Sequence, residues 1–197
     1  GNIAIGNYAL DATGANAHTG TVAIGHLSLT KITTGDGNTA VGYNTMSQEV
    51  LGTHSVALGY ESLKALTGGI GNVAIGYQAM DVMDDTANTL SNCVAIGKWA
   101  FKGNNSTTTD ASDGTVVIGT SAGTAITAGT HGTADANDKQ PNTLIGNTAG
   151  TALTVGDGNV AVGANALDAE VTGHKATAVG FNALTAQVNG SDVDTYN

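Results

Sequence analysis

The sequence predicts an all-β chain wound as a parallel β-solenoid, or β-roll, of about ten 17-residue coils. Three observations predict it: one short phrase recurs ten times, its spacing is nearly constant, and the residues around it are small or β-branched. The phrase reads Ile3-Ala4-Ile5-Gly6, Val22-Ala23-Ile24-Gly25, Thr39-Ala40-Val41-Gly42, Val56-Ala57-Leu58-Gly59 and Val73-Ala74-Ile75-Gly76. It continues as Val94-Ala95-Ile96-Gly97, Val116-Val117-Ile118-Gly119, Thr143-Leu144-Ile145-Gly146, Val160-Ala161-Val162-Gly163 and Thr177-Ala178-Val179-Gly180. The numbers of successive phrase glycines differ by 19, 17, 17, 17, 21, 22, 27, 17 and 17, so the repeat unit is seventeen long and the excess is insertion.

Each unit opens with a turn such as Thr34-Gly35-Asp36-Gly37-Asn38 or Gly156-Asp157-Gly158-Asn159, where Gly and Asn accept positive φ and Asp bonds its own backbone. The phrase itself is a short strand. Its first and third residues, β-branched in every phrase but for Leu58, share one face, while Ala and Gly share the other. Where that second face is only Ala and Gly, it is expected to admit close approach by another backbone or chain. After the glycine come two variable residues, a small one, and usually Leu or Met, as in Tyr77-Gln78-Ala79-Met80 and Ala164-Asn165-Ala166-Leu167; this arm is expected to be a second short strand.

A unit this short cannot bury an apolar face alone, so neighbours must stack and pair their strands in parallel. At about 4.8 Å per strand, ten coils make a rod of roughly 48 Å around a narrow, flattened interior that medium aliphatic side chains fill. No helical period persists beyond one unit. Residues 1–197 therefore read as a single repeat domain. Neither end resembles the polar cap that closes an isolated solenoid, and the expectation is a piece of a longer fibre with flanking fibre domains. The three long steps are expected to emerge as loops near residues 82–92, 102–114 and 123–141.

Composition narrows the function classes. The six basic residues are all Lys against sixteen acidic ones, a net charge of −10, which disfavours long contact with nucleic acid or an anionic membrane. No apolar run approaches the ~20 residues that span a bilayer, so no membrane insertion is expected. Cys93 is the single cysteine and cannot form an internal disulfide.

The pattern Gly-Asn-x-Ala-[Ile/Val]-Gly-[Tyr/Asn]-x-Ala-Leu, at Gly1 to Leu10, Gly37 to Met46, Gly71 to Met80 and Gly158 to Leu167, resembles the head repeats of trimeric autotransporter adhesins. It resembles still more the Gly-Tyr-Asn-Ala-Leu repeats of tail- and head-fibre proteins of bacteriophages and other large viruses. The adhesin repeat is shorter and often carries Ser or Asn where Tyr43, Tyr60 and Tyr77 stand here, which favours the viral fibre. The resemblance implies a left-handed β-roll, a homotrimer of chains side by side, and a place on a virion surface or, alternatively, a bacterial cell surface. It further implies binding to a host-surface glycan or receptor.

Candidate binding residues follow from register and from the insertions. The position after the phrase glycine holds Tyr43, Tyr60 and Tyr77, which must stack into a ladder, with Trp99 one position offset. Aromatic faces stack on sugar rings, but stacked aromatics equally stabilise a solenoid or fill a seam between chains, and the structural reading is favoured. The loops, rich in hydrogen-bonding side chains such as Asn104, Asn105 and Asp110, are the second candidate, balanced against plain loop decoration.

No metal or cofactor is expected. Asp84-Asp85, Asp110 with Asp113, and Asp135 with Asp138 offer oxygen ligands, but neither a calcium-binding nonapeptide repeat nor an EF-hand loop is present. His18, His26, His54, His131 and His174 lack metal-ligand spacing. Cys93 sits beside a strand as a small buried thiol would, and no Gly-Lys-Ser/Thr phosphate loop occurs. The hexad Ile5-Gly6-Asn7-Tyr8-Ala9-Leu10 resembles one hexapeptide of the β-helix acyltransferases, in which three hexads build each coil; a single hexad per repeat unit excludes that reading. Only Thr39, Thr143 and Thr177 share the first strand slot, too few for an ice-binding plane. The expectation is a non-enzymatic structural and host-attachment module of a phage-type fibre. The alternatives are an adhesin head and a tailspike-type polysaccharide hydrolase using the loop carboxylates.

Overall fold

A computed structural model of the chain describes residues 1–12, 18–49, 51–81, 90–103, 113–126, 140–154 and 156–185. It is all-β and has no helix among them. The phrases form the strands β1 (Ile3–Ile5), β2 (Val22–Ile24), β3 (Thr39–Val41), β4 (Val56–Leu58) and β5 (Val73–Ile75). The series continues with β6 (Val94–Ile96), β7 (Val116–Ile118), β8 (Thr143–Ile145), β9 (Val160–Val162) and β10 (Thr177–Val179). They make one parallel sheet in chain order, each strand paired with the next in sequence. Register follows the repeat through the insertions as well: Ala74 faces Ala95 across the 21-residue step, and Val117 faces Leu144 across the 27-residue step. The chain is a parallel β-solenoid.

The Ala and Gly face, expected to admit close approach by another backbone or chain, is the inside, and the backbone that approaches it is that of the neighbouring coil. Ala23, Ala40, Ala57, Ala74, Ala95 and Ala161 at the strand centres are wholly buried, whereas the flanking β-branched residues are half-buried and point outward. The reason is volume. The short perimeter leaves room for one layer of large side chains, and the arm supplies it through Leu29, Met46, Leu63, Met80, Phe101 and Leu167, all buried. Ile32, Leu66, Ile126 and Leu153, which follow the arm in sequence, are buried in the same core. Where the arm offers Gly123 and Gly150 in place of Leu or Met, the strand offers Val117 and Leu144 in place of Ala. The Leu144 methyls then occupy the space that a Cβ on Gly150 would enter, 2.9 and 3.0 Å away.

The arm is not the second strand that the alternation suggested. The second and fourth residues after the phrase glycine are left-handed, as at Glu61 (φ 51°) and Leu63 (φ 51°), or Gln78 (φ 49°) and Met80 (φ 56°). Alternating handedness sends successive N–H groups in opposite directions. The Glu61 N–H donates back to Tyr43 O at 2.9 Å, and the Leu63 N–H donates forward to Ala79 O at 2.9 Å. A left-handed non-glycine residue costs of order 1 kcal/mol. Here each one secures a backbone hydrogen bond to an adjacent coil, which a buried N–H requires.

Between strand and arm the phrase glycines form a column of close backbone contacts. Before the strand, buried asparagines bridge adjacent coils. Asn38, Asn72, Asn142 and Asn159 each accept from the N–H of the equivalent residue in the next coil at 2.9 to 3.0 Å, through Oδ1. Their Nδ2 groups donate to Gly52, Leu90, Gly156 and Gly173 carbonyls at 2.7 to 2.9 Å. Replacing Asn159 by Ala strands the Ala176 N–H and the Gly173 carbonyl in the interior. A loss of about 3 kcal/mol is expected, checked by the shift in the denaturant midpoint; no shift would mean that water replaces the amide.

Candidate functional site

The register that aligns the strands also aligns the residues after each phrase glycine into an aromatic column. Tyr43 and Tyr60 stack with ring centroids 5.1 Å apart and planes 8° from parallel, and Tyr60 and Tyr77 at 5.2 Å and 8°. His26 stacks on Tyr43 at 5.4 Å, Tyr8 meets His26 edge-on, and Trp99 meets Tyr77 edge-on at 6.3 Å. The column therefore uses most of its ring faces on itself. The three tyrosines remain exposed, at 45, 43 and 44%, because their edges point outward. Partial desolvation between neighbouring rings, then the Glu61 carboxylate, hold the Tyr60 phenol above its ordinary value.

A polar relay runs beside the column along the next position. Trp99 Nε1 donates to Gln78 Oε1 at 2.9 Å, and Gln78 Nε2 donates to Glu61 Oε2 at 2.7 Å. Glu61 Oε1 accepts from Asn44 Nδ2 at 3.2 Å and from Lys64 Nζ at 3.1 Å. Partial desolvation raises the Glu61 carboxyl, but hydrogen bonds from Gln78, Lys64 and Asn44 outweigh it and leave the group below its ordinary value. The relay fixes the indole plane of Trp99. Around that ring gather two more lysines: Lys98 Nζ lies 4.0 Å from the ring centroid and Lys102 Nζ 5.6 Å.

Sequence reasoning placed Tyr43, Tyr60, Tyr77 and Trp99 in one neighbourhood, and the structure brings them together. It did not single out Lys102, Gln78 or Lys64. The available signal was positional: the first and fifth residues after the glycine fall on the same side because the arm between them turns. Asn104, Asn105 and Asp110 lie outside the described residues, as do His131, Asp84, Asp85, Asp135 and Asp138.

Three described aspartates in the turns hold coils together. Asp36 accepts from the Thr19 N–H and Asp113 from the Ser91 N–H, both at 2.7 Å, and Asp157 pairs with His174. Two buried carboxylates escaped notice in the sequence, although Glu49 and Glu170 share a recurring Glu-Val-x-Gly. Glu170 Oε1 accepts the N–H groups of Val171, Thr172 and Gly173, and Glu49 Oε1 accepts that of Gly52. Each closes its own turn. Among the described residues no three His, Cys, Asp or Glu side chains gather into a metal-ligand group. Burial pushes the Cys93 thiol up to about 12, so it is not a nucleophile near neutral pH.

Searches of protein-family models, of curated proteins and of solved structures found no match to this chain.

Proposed function

We propose that the chain is a structural and host-attachment module of a viral, phage-type fibre, in which three left-handed β-rolls lie side by side and contact a surface glycan or receptor without catalysis. The observation that carries this reading is the outer face of the sheet. Val56, Leu58, Val73, Ile75, Val94, Ile96 and their equivalents form two columns along the sheet, apolar except at Thr39, Thr143 and Thr177, that are half-buried or exposed within one chain. A contiguous apolar stripe of this kind marks an interaction surface. A fibre of like chains covers it along its whole length, and only a partner with the same repeat matches its spacing. Among the described residues no Asp or Glu lies in any of the ten strands that carry that face.

The test is the native mass by light scattering on a sizing column. The chain alone is expected as a species of about three copies, and Ile75→Glu together with Ile96→Glu is expected to give monomers of unchanged circular dichroism, since two carboxylates per chain would be buried without partners. A wild-type monomer at all concentrations would overturn lateral association. Attachment is tested separately by retention of the labelled chain on bacterial cell surfaces; absence of retention where the intact virion adsorbs would leave a shaft alone.

A further inference from the structure

We propose that Trp99, with Lys98 and Lys102, forms a binding platform for an acidic sugar, a pyranose bearing a carboxylate or sulfate. This rests on the attachment reading and names the class of ligand. The chain holds only six lysines against sixteen acidic residues, yet two of them converge on the single tryptophan. Among the described residues no carboxylate lies within ion-pair distance of either ammonium group, whereas Lys64 in the same neighbourhood is paired with Glu61. The buried Asp81 carboxyl feels the Lys102 charge but forms no ion pair with it. Among the described residues the two ammonium groups therefore meet aromatic rings, Trp99 above all, and no carboxylate.

The geometry suits a ring with one charged substituent. Trp99 adopts φ 58° in a turn that most other coils fill with Asn, Gln, Glu, Ser or Thr, so a large aromatic has been placed where smaller polar residues serve the fold. The relay through Gln78 to Glu61 fixes the indole before any ligand arrives. Tyr43, Tyr60 and Tyr77 spend their faces on one another, and Trp99 meets Tyr77 edge-on, leaving its own face covered by a movable lysine side chain instead of a ring. An acidic sugar draws Lys98 off the indole onto its carboxylate or sulfate, and the C–H face of the sugar takes the vacated place. A cation–π contact is exchanged for a charge pair and an apolar contact. A neutral sugar has nothing to displace the ammonium.

Because Trp99 is the only tryptophan, its emission reports directly on the platform in the full 197-residue chain. Titration with an oligogalacturonate hexamer tests the carboxylate and a heparin hexasaccharide the sulfate, with maltohexaose as the neutral control. The expected result is a saturable emission change with at least one acidic probe, none with maltohexaose, and weakening as ionic strength rises to about 0.5 M. Lys98→Ala with Lys102→Ala is expected to lower the affinity about ten-fold, and Lys98→Arg with Lys102→Arg to keep it within about three-fold. Equal responses to neutral and acidic probes, no response to any, or a single-stranded DNA hexamer binding as tightly as the sugars would overturn the platform. If the lysine-to-alanine variant loses the acidic probe yet stays on cells, the platform stands and attachment runs through another surface. If neither the probe nor the cells bind the wild type, both readings fall.

Discussion

Gly76→Ala is expected to destabilise the solenoid by more than about 4 kcal/mol, among the largest effects of a single methyl group added to this chain. Two costs add. The residue has φ +134°, a region closed to L side chains, and its new Cβ would lie 2.6 Å from the Gly97 carbonyl oxygen and 2.7 Å from the Gly97 carbonyl carbon. Neither atom can yield, because Gly97 repeats the arrangement against Gly119 at 2.6 Å. Relief would require the coils to separate, which breaks the sheet hydrogen bonds on both sides. Gly180→Ala isolates the first cost. It shares the backbone strain at φ +127° but has nothing within 4 Å of the new methyl, so a clearly smaller loss is expected. Thermal unfolding of both variants is the check; equal losses would show that the backbone angle acts alone and that close coil approach adds nothing.

Leu144→Ala is expected to cost about 3 kcal/mol, and adding Gly150→Leu is expected to restore most of it. In the ordinary coil the strand gives Ala and the arm gives Leu or Met; in this coil the strand gives Leu144 and the arm gives Gly150. Truncating Leu144 leaves a void over Gly150 and beside Gly123, whose Cβ position lies 3.1 Å from the same leucine. The backbone at Gly150, φ +58°, matches that of Leu167 at +56° and Leu63 at +51°, so a leucine can stand there without new strain. Gly150→Leu by itself must overpack, since its Cβ meets the Leu144 methyls at 2.9 and 3.0 Å, and should cost about 1–3 kcal/mol. The double-mutant cycle by denaturant unfolding should give a strongly favourable coupling. Additive losses would mean that the two side chains do not share one volume.

That exchange of volumes was open to reading in the sequence. The two phrases with a large central residue, Val116-Val117-Ile118-Gly119 and Thr143-Leu144-Ile145-Gly146, are the two whose arms carry Gly123 and Gly150. Period alone does not expose it, because the compensation lies across the interior. The arm left a fainter trace. Val and Ile never occur at its second and fourth positions, since β-branched side chains fit left-handed backbone poorly, and Thr148 is the one such residue there. Leu, Met and Asn at those positions are equally compatible with a strand. The aromatic column was fully legible, since equal positions in equal coils must superpose. The lysines that converge on Trp99 were not, because their approach depends on how the arm turns.

The recurring phrase was enough to specify the repeat, the strands, their parallel order and the pairing of equivalent residues, because so short a unit has no way to bury its apolar face except against its own copies. Which strand face forms the interior emerged only from packing in three dimensions. Alternation assigns residues to two faces without saying which is inside, and hydrophobicity would have chosen Val and Ile. The narrow cross-section chose Ala, because the opposite wall already fills the interior with Leu, Met and Phe, and the β-branched face was left outside.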